Sequence, residues 1–334
     1  MALPKALQSK WLPQILGYTL SVGCLIWVLR KISFRELISN IRDLSWGWVL
    51  VAVIADLTVY LVHGWRWKTL LGPVARLRYW RTVQAIYIGL FANEVLPLRP
   101  GEIIRIYLMS HWNDLRISLG FASWAVERVI DGLWLLVAFS VMAGLVKGIP
   151  KDLVIAVQIL GAVLILATIG LVAVVLRKEE AHAAVAESRW AATLRHIIEG
   201  LHLMGNIRTL SLTALISLLY LMVQFVPIYA LMKADHLDLS FWAAGAVVTV
   251  VRIATVVPNA PGNLGVGQLA YFISLRLFEL DEHDARNLSQ IMYFAATLPL
   301  LLGGALATAL TGVNIGELRE RARHFVESSH HHRP

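Results

Sequence analysis

The chain has a single cysteine, Cys24, and charged residues make up only 16% of its 334 positions. One cysteine excludes an internal disulfide framework and a cysteine-built metal site. So little charge excludes an ordinary soluble chain of this length, which carries about 25%. No Gly-x-x-x-x-Gly-Lys loop is present to cradle nucleotide phosphates, so an ATP-driven step is not expected from this chain. Paired histidines and acid-rich metal motifs are missing as well; no cofactor and no metal site are expected, and His330, His331 and His332 are given no metal role.

Hydrocarbon fills the chain instead. Hydrophobic residues account for 57% of it and the mean hydropathy is +0.65, the composition of an all-α polytopic membrane protein. The net charge of +8 sits in clusters between apolar runs, which is how a membrane protein is oriented, so no nucleic-acid partner is expected. Apolar runs at 11–29, 46–71, 118–146, 153–176, 209–231 and 290–313 read as about six transmembrane helices. The first lacks a small-residue cleavage site and reads as a retained span. Between the first two, Phe34, Leu37, Ile38 and Ile41 share one face of an interfacial helix. Residues 177–208 read as a surface helix. In the second span Asp56, Tyr60, His63 and Trp67 follow at steps of four, three and four and form one polar stripe. Arg66, Lys68, Arg76, Arg78 and Arg81 form the densest basic cluster and read as a cytoplasmic flank.

Two segments break the pattern. In 82–113 an apolar arm runs into Asn93-Glu94-Val95-Leu96-Pro97-Leu98-Arg99-Pro100-Gly101-Glu102, and a second arm follows. In 240–278 the break is Pro258-Asn259-Ala260-Pro261-Gly262-Asn263. Arms of roughly 15–18 residues fall short of the ~20 that a crossing takes. Backbone freed by Pro and Gly inside a membrane must line protein or water, and paired broken segments point to a transport site. Both are therefore read as re-entrant helical hairpins. With the N-terminus in the cytoplasm, this arrangement puts most of the basic residues on the cytoplasmic side. A hairpin of two full crossings gives the same charge distribution, and only the short arms argue against it. Each half (1–147 and 148–318) then holds three spans and one hairpin, inverted relative to the other. Residues 319–334 form a basic tail, and both termini are cytoplasmic.

Arg99, Arg105, Arg128 and Arg252 are candidates to bind a phosphate-bearing headgroup, because guanidinium stays charged when buried and recognises phosphate bidentately. Asn259, Asn263 and Glu102 lie beside them in the breaks, where helix starts after Pro100-Gly101 and Pro261-Gly262 add backbone N–H donors. Asn93, Glu94, Glu127, Asp131, Asp56 and His63 form the supporting polar set. Glu102 and Arg105, and likewise Arg128 and Asp131, are one turn apart, so each pair can neutralise itself and simply hold the fold. Glu102 can alternatively carry a coupling proton. Arg252 has no acidic neighbour in sequence, which makes it the leading ligand contact.

At these residues the chain resembles the transmembrane domain of lysylphosphatidylglycerol synthases and the wider flippase-like family. The matching elements are Trp65-Arg66, Leu96-Pro97 with Arg99-Pro100-Gly101-Glu102 and Arg105, Glu127-Arg128 with Asp131, and Pro261-Gly262-Asn263-Leu264-Gly265. The resemblance covers about 11–313 and implies a lipid translocase of the cell membrane. Family members act on aminoacylated phospholipid, polyprenyl-linked sugar or hopanoid lipids. No stretch is long or polar enough for the soluble acyltransferase-like domain, so synthase activity is not carried over. Gln268 departs from the pattern where a carboxylate is expected. A non-catalytic partner of a separate lipid-modifying synthase and an intramembrane lipid-phosphate enzyme are the alternative readings.

Overall fold

A computed structural model describes residues 40–96, 99–145, 151–176, 191–255 and 260–313. The expected first span, most of the interfacial piece, residues 177–190, Pro97, Pro258, Asn259 and the tail lie outside the described residues. Among the described residues the chain is helical, with no strand: α1 Trp46–Leu71, α2 Tyr79–Val95, α3 Gly101–Trp112, α4 Ile117–Leu145, α5 Lys151–Leu176, α6 Ala191–Met204, α7 Ile207–Ala234, α8 Phe241–Ala254, α9 Val266–Arg276 and α10 Glu282–Thr311. A 3-10 turn, Pro261–Asn263, precedes α9.

The five long helices coincide in sequence with five of the expected apolar runs, and three of them have the length and apolarity of a span among the described residues. Helices α1, α7 and α10 have 26, 28 and 30 residues and are apolar enough to cross a membrane. At 1.5 Å per residue they rise ~39–45 Å, more than the ~30 Å of a bilayer core. On α10, Leu298, Leu302, Leu306 and Leu310 are exposed at four-residue steps, which gives a leucine ridge that hydrocarbon solvates and water does not. Helices α1 and α7 pack antiparallel along their length. The Ser45 N–H donates to the Ala234 carbonyl at 2.9 Å at one end, and the Arg66 guanidinium lies 4.7 Å from the Tyr220 ring towards the other. Helix α6 covers the described part of the expected 177–208 surface helix and is two-sided: Ile198, Leu201 and Met204 are buried while Arg195 and His196 are exposed.

The four helices beside the breaks are short, with 17, 12, 14 and 11 residues in α2, α3, α8 and α9. All but α2 fall below the roughly 15–18 expected, because the irregular backbone of each break takes up part of the apolar run. They rise only about 16–26 Å. Helices α2 and α3 fold back on each other through a glycine contact. A Cβ on Gly101 would stand 1.8 Å from the Gly89 carbonyl oxygen, and one on Gly89 would stand 2.6 Å from that of Gly101. Neither position has room for a side chain. Asn93 Oδ1 reaches over the break and accepts from the Gly101 N–H at 2.7 Å, satisfying one of the donors that the start of α3 leaves open. At the far end the Arg81 guanidinium sits 5.1 Å from the Trp112 ring. The start of α2 and the end of α3 therefore lie at the same level.

Candidate functional site

Two polar regions meet inside this frame. The first is an ion network between α1, α3 and α4. Arg66, Arg105 and Glu127 are each no more than 1% exposed. Glu127 is the hub: Oε2 accepts from Arg105 Nη2 at 2.8 Å, and Oε1 stands 3.2 Å from Arg66 Nη2. Arg66 also donates to Asp131, and Arg128 reaches the same carboxylate at 3.3 Å. Arg105 pairs with Glu102 at 2.7 Å and contacts the His63 ring nitrogen Nε2 at 3.2 Å. Its guanidinium also lies 4.7 Å from the Trp67 ring. Three arginines meet three carboxylates, so the network is electrically balanced. Ions at this burial are tolerated because each has a partner, and removing one partner is far costlier than removing a whole pair.

The second region forms where the two breaks touch. Arg99, held at a left-handed φ of 52°, donates to Asn263 Oδ1 at 2.8 Å and to the Thr255 carbonyl at 3.3 Å. Gly262, at φ 67°, is needed on two grounds: a Cβ there would come 2.6 Å from Glu94 Oε2, and its backbone is in the region that side chains disfavour. Beside this contact lies a cavity of about 270 Å³ lined by Tyr60, Glu94, Gln224, Asn263, Tyr271 and Tyr293, among others. The Glu94 carboxylate faces it with no hydrogen-bond donor among the described residues; Arg99 is its nearby charge. Arg252 stands at its edge. It donates to Gln224 and lies 5.6 Å from the Tyr220 ring; no carboxylate is in ion-pair contact with it among the described residues, and Asp131 is its nearby negative charge.

Sequence reasoning named most of these side chains, and the structure sorts them into two sets. Glu102, Arg105, Arg128, Glu127, Asp131 and His63 belong to the balanced network, and both expected one-turn pairs are present. Arg99, Asn263 and Glu94 belong to the cavity, with Arg252 at its edge. Asn93 closes the α3 turn. Asp56 lies on the expected stripe, only 7% exposed. One correction is needed. Arg66 is not part of the basic flank: it lies on the buried side of α1, three residues after His63, while Lys68, Arg76, Arg78 and Arg81 are exposed. Helix α1 does not end until Leu71, so a cluster that looks continuous in sequence is split by the helix face. Gln224 was missed; its signal was an amide isolated inside an apolar run. Gln268 also has a physical account. Its side-chain oxygen accepts from the Gly265 N–H at the start of α9, a cap that an amide makes as well as a carboxylate does.

Long apolar helices enclosing buried ions define a multi-pass, all-helical membrane protein. Residues 14–321 match the family described as the lysylphosphatidylglycerol synthase TM region, and the chain belongs to that family. It is 21% identical to a UPF0104 membrane protein of Methanothermobacter thermautotrophicus, covering 74% of this chain and 78% of that one. A UPF0104 membrane protein of Methanocaldococcus jannaschii is 23% identical over 68% of this chain and 96% of its own. A stretch amounting to 40% of the chain is 29% identical to the glycosyltransferase AglD of Haloferax volcanii, but spans only 21% of that protein. No solved structure matches the chain.

Proposed function

We propose that this protein is a lipid translocase of the cell membrane that moves a lipid with an anionic, phosphate-bearing headgroup through the cavity between the two breaks. The observation that carries this reading is the meeting of the breaks, Arg99 to Asn263 at 2.8 Å, next to a polar cavity with Arg252 at its edge in direct ion-pair contact with no described carboxylate. A headgroup crossing hydrocarbon needs a wet, polar site at mid-depth while its tails stay in lipid. Helices too short to span, packed beside helices long and apolar enough to do so, would supply such a site. The architecture proposed is six spans with two re-entrant hairpins in an inverted repeat, and both termini in the cytoplasm. Cysteines replacing Asp114 and Arg195 should then label from the cytoplasmic face alone, and one replacing His283 from the outer face alone.

Phosphatidylcholine vesicles containing a trace of fluorescent phosphatidylglycerol test the activity. With this protein, a membrane-impermeant reductant should bleach the label from both leaflets; bleaching of the outer leaflet alone, as in protein-free vesicles, contradicts it. The match to a segment of a glycosyltransferase favours a second reading, a membrane partner for a separate lipid-modifying synthase. In that case the protein should co-purify with the synthase and leave vesicle lipids where they are.

A further inference from the structure

We propose that Asp56 is a proton-binding site, the point at which translocation draws on a proton gradient. Its use in transport rests on the translocase reading; its chemistry does not. Asp56 sits in the interior of α1, only 7% exposed, and its Oδ2 has no hydrogen-bond partner among the described residues. The network described above neutralises every carboxylate it contains with an arginine, Glu102 included. Asp56 has no such cation: among the described residues no Lys, Arg or His pairs with it. A buried carboxylate without a counter-ion takes up a proton in preference to standing as a bare charge.

The surroundings also provide a route. The titratable groups facing Asp56 are Tyr60 from its own helix, Tyr87 from α2 and Tyr271 from α9. Tyr60, one helical turn on from Asp56, in turn faces Glu94 of α2 and Tyr220 of α7. Tyr60 and Tyr271 both line the cavity. These two tyrosines therefore stand between the cavity and a carboxyl group that is not part of its lining. The step is a proton transfer alone: an O–H bond forms on the carboxylate, and the proton is drawn from cavity water through a tyrosine hydroxyl that is reprotonated behind it. A metal cation is a poorer fit. Hard cations take several oxygen ligands, whereas α1 is continuous through Asp56 with its carbonyls engaged in the helix. Among the described residues no group of three metal-holding side chains forms.

Infrared spectra of the protein in lipid nanodiscs at pH 7 test the site without any transport. The wild type should show the C=O stretch of a protonated carboxylic acid. Asp56→Asn should lose it and Asp56→Glu should shift it, while Glu94→Gln should retain it. A spectrum without such a band, or one whose band is lost in Glu94→Gln and kept in Asp56→Asn, overturns the assignment. Vesicles with fluorescent phosphatidylglycerol test the coupling. An imposed pH gradient should raise the wild-type rate, and the ratio of rates with and without the gradient should fall to one in Asp56→Asn. An equal ratio in both proteins, or a wild type driven by sodium, overturns the coupling. Failure of every variant and the wild type to move lipid would overturn the translocase reading while the infrared band still decided the protonation of Asp56.

Discussion

The ion network and the cavity are neighbours that handle charge in opposite ways. In the network three arginines and three carboxylates cancel, and its hub, Glu127, is fully buried. Around the cavity no ion pair closes: Glu94 finds no donor among the described residues, and Arg252 rests on an amide and an aromatic ring, with the Asp131 charge acting on it only from beyond ion-pair contact. A closed network has little left to offer a ligand, whereas an open site keeps its attraction for one. The difference teaches that arginine in a membrane interior is not by itself a binding signal. What matters is whether a carboxylate has already claimed it.

The contrast breaks most visibly at Glu127. Glu127→Ala leaves Arg66 and Arg105 buried around an empty centre, and should destabilise the fold by ~3–5 kcal/mol. A lowered thermal midpoint in nanodiscs checks this. Gly101→Ala comes next, because its methyl group would enter the α2 backbone; overpacking of this kind costs about 1–3 kcal/mol. It should separate α2 from α3 and weaken lipid binding along with stability. Arg252→Ala should do the reverse, retaining the midpoint while weakening binding of an anionic lipid by ~1.5–3 kcal/mol, a lost charged hydrogen bond. Arg252→Lys should not restore it fully, since an ammonium lacks the bidentate fork. Native mass spectrometry of bound phosphatidylglycerol measures both.

The smallest effect lies away from both regions, between α7 and α8. Burial, with the neighbouring Asp284 charge, pushes the Asp235 carboxyl up to about 6, against a smaller opposing pull from His236. A carboxyl raised in the folded state contributes stability below its ordinary value of 3.8 that is lost as pH rises through about 6. Asp235→Asn should therefore match the wild type below pH 3.8 and have the higher thermal midpoint at pH 7.

The breaks and the short arms around them were readable because Pro and Gly leave a local mark on an apolar pattern. The pairs Glu102–Arg105 and Arg128–Asp131 were readable for a similar reason, being one turn apart. What joins these pairs was not. Arg66 meets Asp131 across 65 positions and Arg105 meets Glu127 across 22, and only helix packing brings such residues together. The same holds for the cavity: Tyr60, Gln224, Tyr271 and Tyr293 come from four helices, and no local pattern relates them. Sequence placed Arg99 and Asn263 in separate breaks as two ligand contacts; their bond to each other makes them the clasp between the breaks.

Filling the cavity separates its role from that of the network most directly. Ala296 lines it, so Ala296→Trp places an indole where the headgroup is proposed to pass and leaves Glu127 and its arginines untouched. In vesicles with fluorescent phosphatidylglycerol, the variant should retain the wild-type thermal midpoint to within a few degrees and move lipid no faster than protein-free vesicles do. Translocation at the wild-type rate with the cavity filled would contradict the claim that lipid passes between the two breaks.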